Sequence, residues 1–388
     1  MLPEQIGNRP FCIYGAGIVA SSVYTVLKEL YHMLPAFFLI SDENGGNEPE
    51  EIDGIPVKRL SSWVNELRDG IYAIHIFYYI IAVPEPHHAA VIRSLQETDV
   101  LRIGASRMLR ITGAEENALM EAYYGGFLNC RTVSKLTAGK QSAAVDGRVV
   151  CGTEKERRIQ VFQVKSHKDR LLHSQRQKLP EYINPIQAGA ALTDQVIAEI
   201  QDNRGDHISE KNGNYSELTA TYYAWKNSRA AYKGICHYRR IFEISEEQMQ
   251  TLLSEEAEWD VILPYPTVHY PDITAQHLRY LREEDWNALL LALQETSPDY
   301  LAAFEKMRMD GGQRFFNFNM LIAKAAVFDN YCSFLFRVLE RAEALVTSGG
   351  RERSDRFAGY MGENLTTIYF LKNRDKLKIV YAGKRWLT

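Results

Sequence analysis

The chain of 388 residues has no apolar run long enough to cross a bilayer. Its longest, Ile71 to Val83, holds 13 residues including His75, well short of the roughly 20 a spanning helix needs. There is no basic surplus either. With 45 Lys and Arg against 49 Asp and Glu, the net charge of −4 removes the electrostatic drive for nucleic-acid binding, and no nucleic-acid partner is expected. The five cysteines (Cys12, Cys130, Cys151, Cys236, Cys332) are scattered and odd in number, with no pair at the two-residue spacing of zinc or redox sites, so they read as reduced thiols. The opening MLPEQIGNRP lacks the basic start and apolar stretch of a secretory signal, so a cytoplasmic protein is expected. What is present, 46% hydrophobic and 24% charged residues, is the balance of a folded chain and not a disordered one.

The length suits about two domains. From Phe11 the apolar FCIY, the glycine-bearing GAGIVA, a helix-compatible Ser21 to Leu34 and the apolar AFFLI follow one another as a βαβ unit would. A second apolar run and a helix over His87 to Gln96 continue the alternation, which predicts a doubly wound parallel sheet. The polar stretch from about Thr137 to Arg158 reads as a linker, placing the boundary near residue 155 and the domains at 1–155 and 156–388. Beyond it, IQVFQVKSHKD, YKGICHY and DVILP read as strands, with helix-compatible stretches over Tyr215 to Arg229 and Asp285 to Met307; KLKIVYAGKRWLT reads as a single terminal strand. The whole is expected to be α/β.

Gly15-Ala-Gly17-Ile-Val-Ala20 fits the dinucleotide fingerprint and sits between a strand and a helix, where backbone N–H groups can hold a pyrophosphate; Asp42, ending the next strand, can accept from a ribose. The same residues also suit a tight turn that binds nothing, with Asp42 a solvated strand-end acid. YKGICHYRRIF delivers His237, Tyr238, Arg239 and Arg240 at a strand end, where paired guanidinium groups can hold phosphate oxygens; solvated arginines are the plainer alternative. Asp206, Asn212 and Glu217 precede a helix that Ser216 is expected to cap, and Tyr222, Tyr223 and Trp225 form either a sugar-stacking surface or core. Asn317 and Asn319, two apart in an apolar run, are expected on one face of a strand, and Glu363 stands where a base would.

QAGAAL, GDHISEKNGNYSELTATYYAWKN, GICHYRRIF, DVILP and FNFNMLIA together make residues 159–370 resemble a family of bacterial capsular or lipopolysaccharide biosynthesis glycosyltransferases, otherwise described as a domain of unknown function. The resemblance implies a GT-A-like α/β domain and hexosyl transfer, galactofuranose among the candidates, from a UDP-sugar to a glycan or lipid-linked glycan acceptor. It leaves peripheral association with the inner face of the membrane open. The first 155 residues resemble the Rossmann-like domains attached to sugar-handling enzymes.

Most GT-A enzymes hold a divalent metal on an Asp-x-Asp, and none occurs here. Arg239 and Arg240, with His237, are expected to supply that charge, so that no metal or other cofactor is required. Asp260, Glu363 and Asp206 are the candidate bases for an inverting displacement, Lys168 and Gln187 candidate nucleotide ligands, and Asn317 and Asn319 candidate hydroxyl contacts. The alternative is an NAD-dependent sugar-nucleotide oxidoreductase or epimerase using Gly15 and Gly17, against which stands the lack of a Tyr-x-x-x-Lys pair in the first domain.

Overall fold

The computed structural model describes residues 2–43, 49–70, 77–98, 104–139, 158–170, 178–254, 258–274, 278, 280–309, 312–347 and 353–387. Most of the expected linker, residues 140–157 with Cys151, and the first half of the run from Ile71 lie outside the described residues. Contacts divide the chain into two units, residues 1–128 with 267–275 and residues 129–266 with 276–388. This division differs from the boundary expected near residue 155, because the segment after residue 128 packs with the second unit. There Val133 enters the core beside Ile159 and Val380, and the Arg131 carbonyl accepts from the Tyr381 amide at 2.9 Å.

In the first unit, β1 (Phe11–Tyr14), β2 (Phe38–Ile40), β4 (Ile55–Arg59), β5 (Tyr78–Ile81) and β6 (Met108–Arg110) pair in parallel. The short β3 (Glu51–Ile52) is antiparallel to β4, and the order is β3-β4-β2-β1-β5-β6. This is a doubly wound sheet whose strand order reverses between β1 and β5. Helices α1 (Ile18–Tyr31), α2 (Leu60–Arg68), α3 (His88–Glu97) and α4 (Gly113–Met120) follow its strands. The central strands β2, β1 and β5 read as continuous apolar runs because both faces are covered. One core cluster packs Trp63 at 4.4 Å from Phe37 and also includes Tyr79 and Leu95.

The second unit is built on a mixed sheet of nine strands among the described residues. β7 (Ile159–Lys165), β8 (Ile183–Gln187), β9 (Ile200–Gln201) and β10 (Tyr232–His237) run parallel in the order β9-β8-β7-β10. On the far side of β10, β15 (Leu321–Lys324) is antiparallel, followed by the parallel pair of β12 (Val261–Pro264) and β16 (Ile379–Ala382). β11 (Arg240–Phe242) turns back on β10 and pairs with β17 (Lys384–Trp386), so the expected single terminal strand is broken at Gly383. A Cβ on Gly234 of β10 would meet the Leu321 carbonyl at 2.9 Å and Val161 at 3.0 Å, so glycine permits β10 to fit between its neighbours. Its longest helices among the described residues are α5 (Leu218–Asn227), α6 (Glu283–Thr296), α7 (Pro298–Met309), α8 (Ala325–Val346) and α9 (Phe357–Lys372). The single helical stretch expected over Asp285 to Met307 is thus two helices, parted where Pro298 begins a new one. The chain is α/β throughout.

Candidate functional site

Strand order in the second unit reverses between β7 and β10, and open α/β sheets bind ligands beyond the carboxyl ends of strands at such a point. Val164 is level with His237 there, so the turn after β7 and the His237–Arg240 corner open on the same edge. In that turn the Ser166 amide donates to Asp169 at 2.7 Å, while Lys168 is exposed. The corner is tied to β7 by Gln163, whose amide donates to the Tyr238 carbonyl at 2.8 Å. Arg240 is buried, its guanidinium between two rings, with Cζ 4.1 Å from the Phe318 centroid and 4.0 Å from that of Trp386. Burial, with Arg239 beside it, lowers its pKa to about 10. Arg239 approaches the Tyr238 and Trp386 rings at 5.4 and 6.0 Å.

The opposing wall comes from α9 and the residues before α5. Gly362 lets α9 approach closely, since a Cβ there would meet Leu218 at 2.7 Å. Asn319 is buried and donates through its amide nitrogen to Glu217 Oε1 at 2.8 Å and to the Gly359 carbonyl at 3.2 Å, while its Oδ1 accepts from Thr366 at 3.2 Å. A carbonyl can only accept, so the amide orientation is settled by Gly359. The Phe318 amide donates to Glu363 Oε1 at 2.8 Å. Arg356 donates to Ser216 Oγ at 2.9 Å and lies 3.9 Å from Glu217 Oε2.

Electrostatics bind these walls into one site. Burial, and then Arg240, Arg239 and Arg356, push His237 down to about 3, so its ring is neutral. Burial, reinforced by the Glu217 carboxylate, pushes Glu363 up to about 8 against the Phe318 N–H, Arg240 and Arg356. Asp169 is also raised, by burial, against the Ser166 N–H, Arg356 and Arg239. His237 Nδ1 and the Nε atoms of Arg239 and Arg240 are buried without hydrogen-bond partners among the described residues. Such groups are costly unless something accepts from or donates to them. Four non-glycine residues around the site, Ser216, Phe318, Asn319 and Arg356, have φ of 50°, 77°, 49° and 66°. Left-handed backbone of this kind is uncommon and concentrates at functional sites.

The sequence-predicted residues divide accordingly. His237, Tyr238, Arg239, Arg240, Asn319 and Glu363 come together, with Lys168 on the same sheet edge. Asn317 and Asn319 do not alternate along a strand as expected: they open and close a 3-10 turn, Asn317–Asn319, ahead of β15. Asp260 lies elsewhere. It pairs with Lys324 at 2.9 Å and accepts from the Lys378 amide, and Lys324 is level with Tyr232, five residues of strand or about 16 Å from His237. Asp206 is exposed and accepts from Tyr222 at 3.2 Å beside α5. Gln187 spends its amide on the Gln195 carbonyl and the Ile197 N–H, and Asn212 spends its nitrogen on the Ser216 carbonyl and Thr219. Ser216 does not cap α5 but accepts from Arg356. Tyr222 and Trp225, both half-buried, pack on Phe336 of α8 at 5.0 and 5.7 Å. Arg356, Phe318, Asp169 and Trp386 were not anticipated.

In the first unit, Gly15 has φ 131°, and a Cβ on it would lie 2.6 Å from the Ala82 carbonyl, so the turn after β1 requires glycine for its shape. Gly17 caps α1 with its Cβ direction open. Both carboxylate oxygens of Asp42 accept from the Ser61 amide, at 3.1 and 3.2 Å, and one accepts from its hydroxyl at 2.6 Å, securing the start of α2. Among the described residues no group of three or more His, Cys, Asp or Glu is placed to hold a metal, and no helix is long and apolar enough to cross a membrane.

Residues 163–374, over half of the chain and nearly all of the cluster, match the family described as Domain of unknown function (DUF4422). The chain belongs to this family. The DUF4422 segment contains the three carboxylates, Asp169, Glu217 and Glu363, and the three arginines of the site, and excludes Trp386 and the first sheet. No curated protein matches the sequence. Among solved structures, one described as the WbbM bifunctional glycosyltransferase in its apo form is similar at 23% identity and a TM-score of 0.49, over 59% of this chain. The chain spans 45% of the length of that structure.

Proposed function

We propose that the DUF4422 unit is a glycosyltransferase that moves a hexose, galactofuranose among the candidates, from a nucleotide-diphosphate donor such as a UDP-sugar to a glycan or lipid-linked acceptor. The observation that carries the reading is the set of three arginines around His237 at the sheet's switch point, with two Nε atoms and one imidazole nitrogen buried and without hydrogen-bond partners among the described residues. Diphosphate oxygens are strong acceptors for guanidinium donors, and the charge that grows on a departing nucleotide is stabilised by donors already fixed in place. Arg240 is fixed by Phe318 and Trp386, and Arg356 by Ser216.

Of the three carboxylates weighed as base, Glu363 alone belongs to this cluster. With its pKa raised to about 8, it is ionised and able to take a proton from an acceptor hydroxyl as pH reaches about 8 and above, as an inverting displacement requires. Arginine charge replaces the metal of related chemistry in this scheme. The test is product formation by the purified chain from a panel of nucleotide sugars, with and without EDTA, beside Arg239→Ala and Arg240→Ala. The expected result is transfer that survives EDTA and falls about 10²- to 10³-fold in kcat/KM on loss of either guanidinium. Loss of activity in EDTA with specific recovery in manganese would refute the arginine scheme.

A further inference from the structure

A pair of tyrosines outside the cluster has no part in the scheme above. Tyr280 stacks on Tyr360 of α9, with centroids 5.2 Å apart and planes 22° apart. Tyr280 is nevertheless 55% exposed and its neighbour Leu278 48% exposed. The segment carrying Tyr280 is held against the start of α9, since Arg282 lies 3.6 Å from Asp355. Tyr360 and Glu363, three apart, share one face of α9, and the guanidinium of Arg356, the residue that precedes the helix, is 5.8 Å from the Tyr360 ring. Tyr360 thus lies within electrostatic reach of Arg356, Glu363 and Glu217.

We infer that Tyr280, backed by Tyr360, is a stacking subsite for a sugar ring of the acceptor, an inference that rests on the glycosyl-transfer reading. An acceptor hydroxyl must come within hydrogen-bond reach of Glu363 to lose its proton, which brings the acceptor to the face of α9 that Glu363 shares with Tyr360. Sugar rings present a flat C–H face to an aromatic ring, and the phenol hydroxyls can exchange hydrogen bonds with their rims. A stacked and exposed aromatic pair beside a polar cluster supplies both kinds of contact at little ordering cost, because Tyr360 already restrains Tyr280.

The experiment is ligand-observed NMR on the full chain with methyl glycosides of galactose, glucose and mannose and their short oligosaccharides. UDP, GDP and dTDP form a separate arm, and Tyr280→Ala and Tyr280→Phe are compared with the parent. Saccharide affinity is expected to weaken about three- to tenfold in Tyr280→Ala, the worth of one ring contact, and to persist in Tyr280→Phe with nucleotide binding unchanged. Undetectable saccharide binding by the parent, an affinity indifferent to Tyr280→Ala, or a loss confined to the nucleotides would overturn the subsite; the last outcome would make it a nucleobase platform. Failure of the transfer reading has its own signature: nucleotide binding indifferent to Arg240→Ala and no product from any nucleotide sugar, whatever Tyr280→Ala does to saccharides.

Discussion

Replacing Glu363 with Gln should strengthen the fold and abolish the reaction together. Glu363 holds its proton up to about pH 8 in the folded chain, against an ordinary value of 4.5. The folded state therefore binds more protons than the unfolded one across that interval, and stability falls as pH rises. Glu363's contribution is complete below pH 4.5 and is lost as pH passes through about 8. The slope approaches about 1.4 kcal/mol per pH unit, which amounts to about 5 kcal/mol over the whole window and about 3 kcal/mol by pH 7. Gln carries no such penalty and keeps an oxygen to accept the Phe318 N–H. In urea unfolding from pH 5 to 9, the advantage of Glu363→Gln over the parent should widen with pH and level off above 8. Transfer by the variant should meanwhile fall about 10²- to 10⁴-fold. A stability difference that stays flat over the same range, or a variant with near-parental turnover, would refute the assignment.

His237 should give the opposite limb. Its ring is neutral down to about pH 3 when folded and gains a proton near 6.5 when unfolded, so its stabilisation is complete above 6.5 and is lost as pH falls towards 3. His237→Gln should flatten the acid side of the unfolding profile and leave the alkaline side as it was. Asp285, on α6, holds Arg353 through two bonds of 2.5 and 2.7 Å with almost no exposure. Asp285→Ala leaves the Arg353 guanidinium with Asp355 as its remaining carboxylate partner, at 2.7 and 3.1 Å, and thermal or urea unfolding should register a loss of about 1–3 kcal/mol.

Much of the scaffold is legible in the residues. Buried parallel strands read as unbroken apolar runs such as FCIY and YYII, and the polar residues that close YKGICHYRR mark the strand end at which the site opens. What escaped is what distant segments bring. Trp386 reaches Arg240 only because β17 pairs with β11 across the sheet edge, and Arg356 meets Glu217 only because α9 lies against the residues preceding α5. No local pattern encodes either approach. Strand periodicity in FNFN puts Asn317 and Asn319 on one face, whereas left-handed backbone at Phe318 and Asn319 makes the segment a turn. Asp260 and Asp42 are a different case: a strand-end acid offers the same letter whether it serves a ligand, an ion pair or a helix start, and here Lys324 and Ser61 hold them.

The strained residues and the perturbed charges have a common origin. Of seven non-glycine residues with positive φ among those described, four are Ser216, Phe318, Asn319 and Arg356. Each such conformation costs on the order of 1–3 kcal/mol and persists only where its surroundings over-determine it. Those surroundings are visible at every one of the four. Asn319 is held by Glu217, Gly359 and Thr366; Phe318 by its bond to Glu363 and the guanidinium above its ring; Ser216 and Arg356 by each other. The contacts that fix this backbone are the ones that bury Glu363 beside Glu217 and set the arginines around His237. A relaxed backbone at Phe318 would withdraw the N–H that opposes the upward shift of Glu363 and the ring that orients Arg240, so the cost in stability and the readiness for chemistry cannot be separated here.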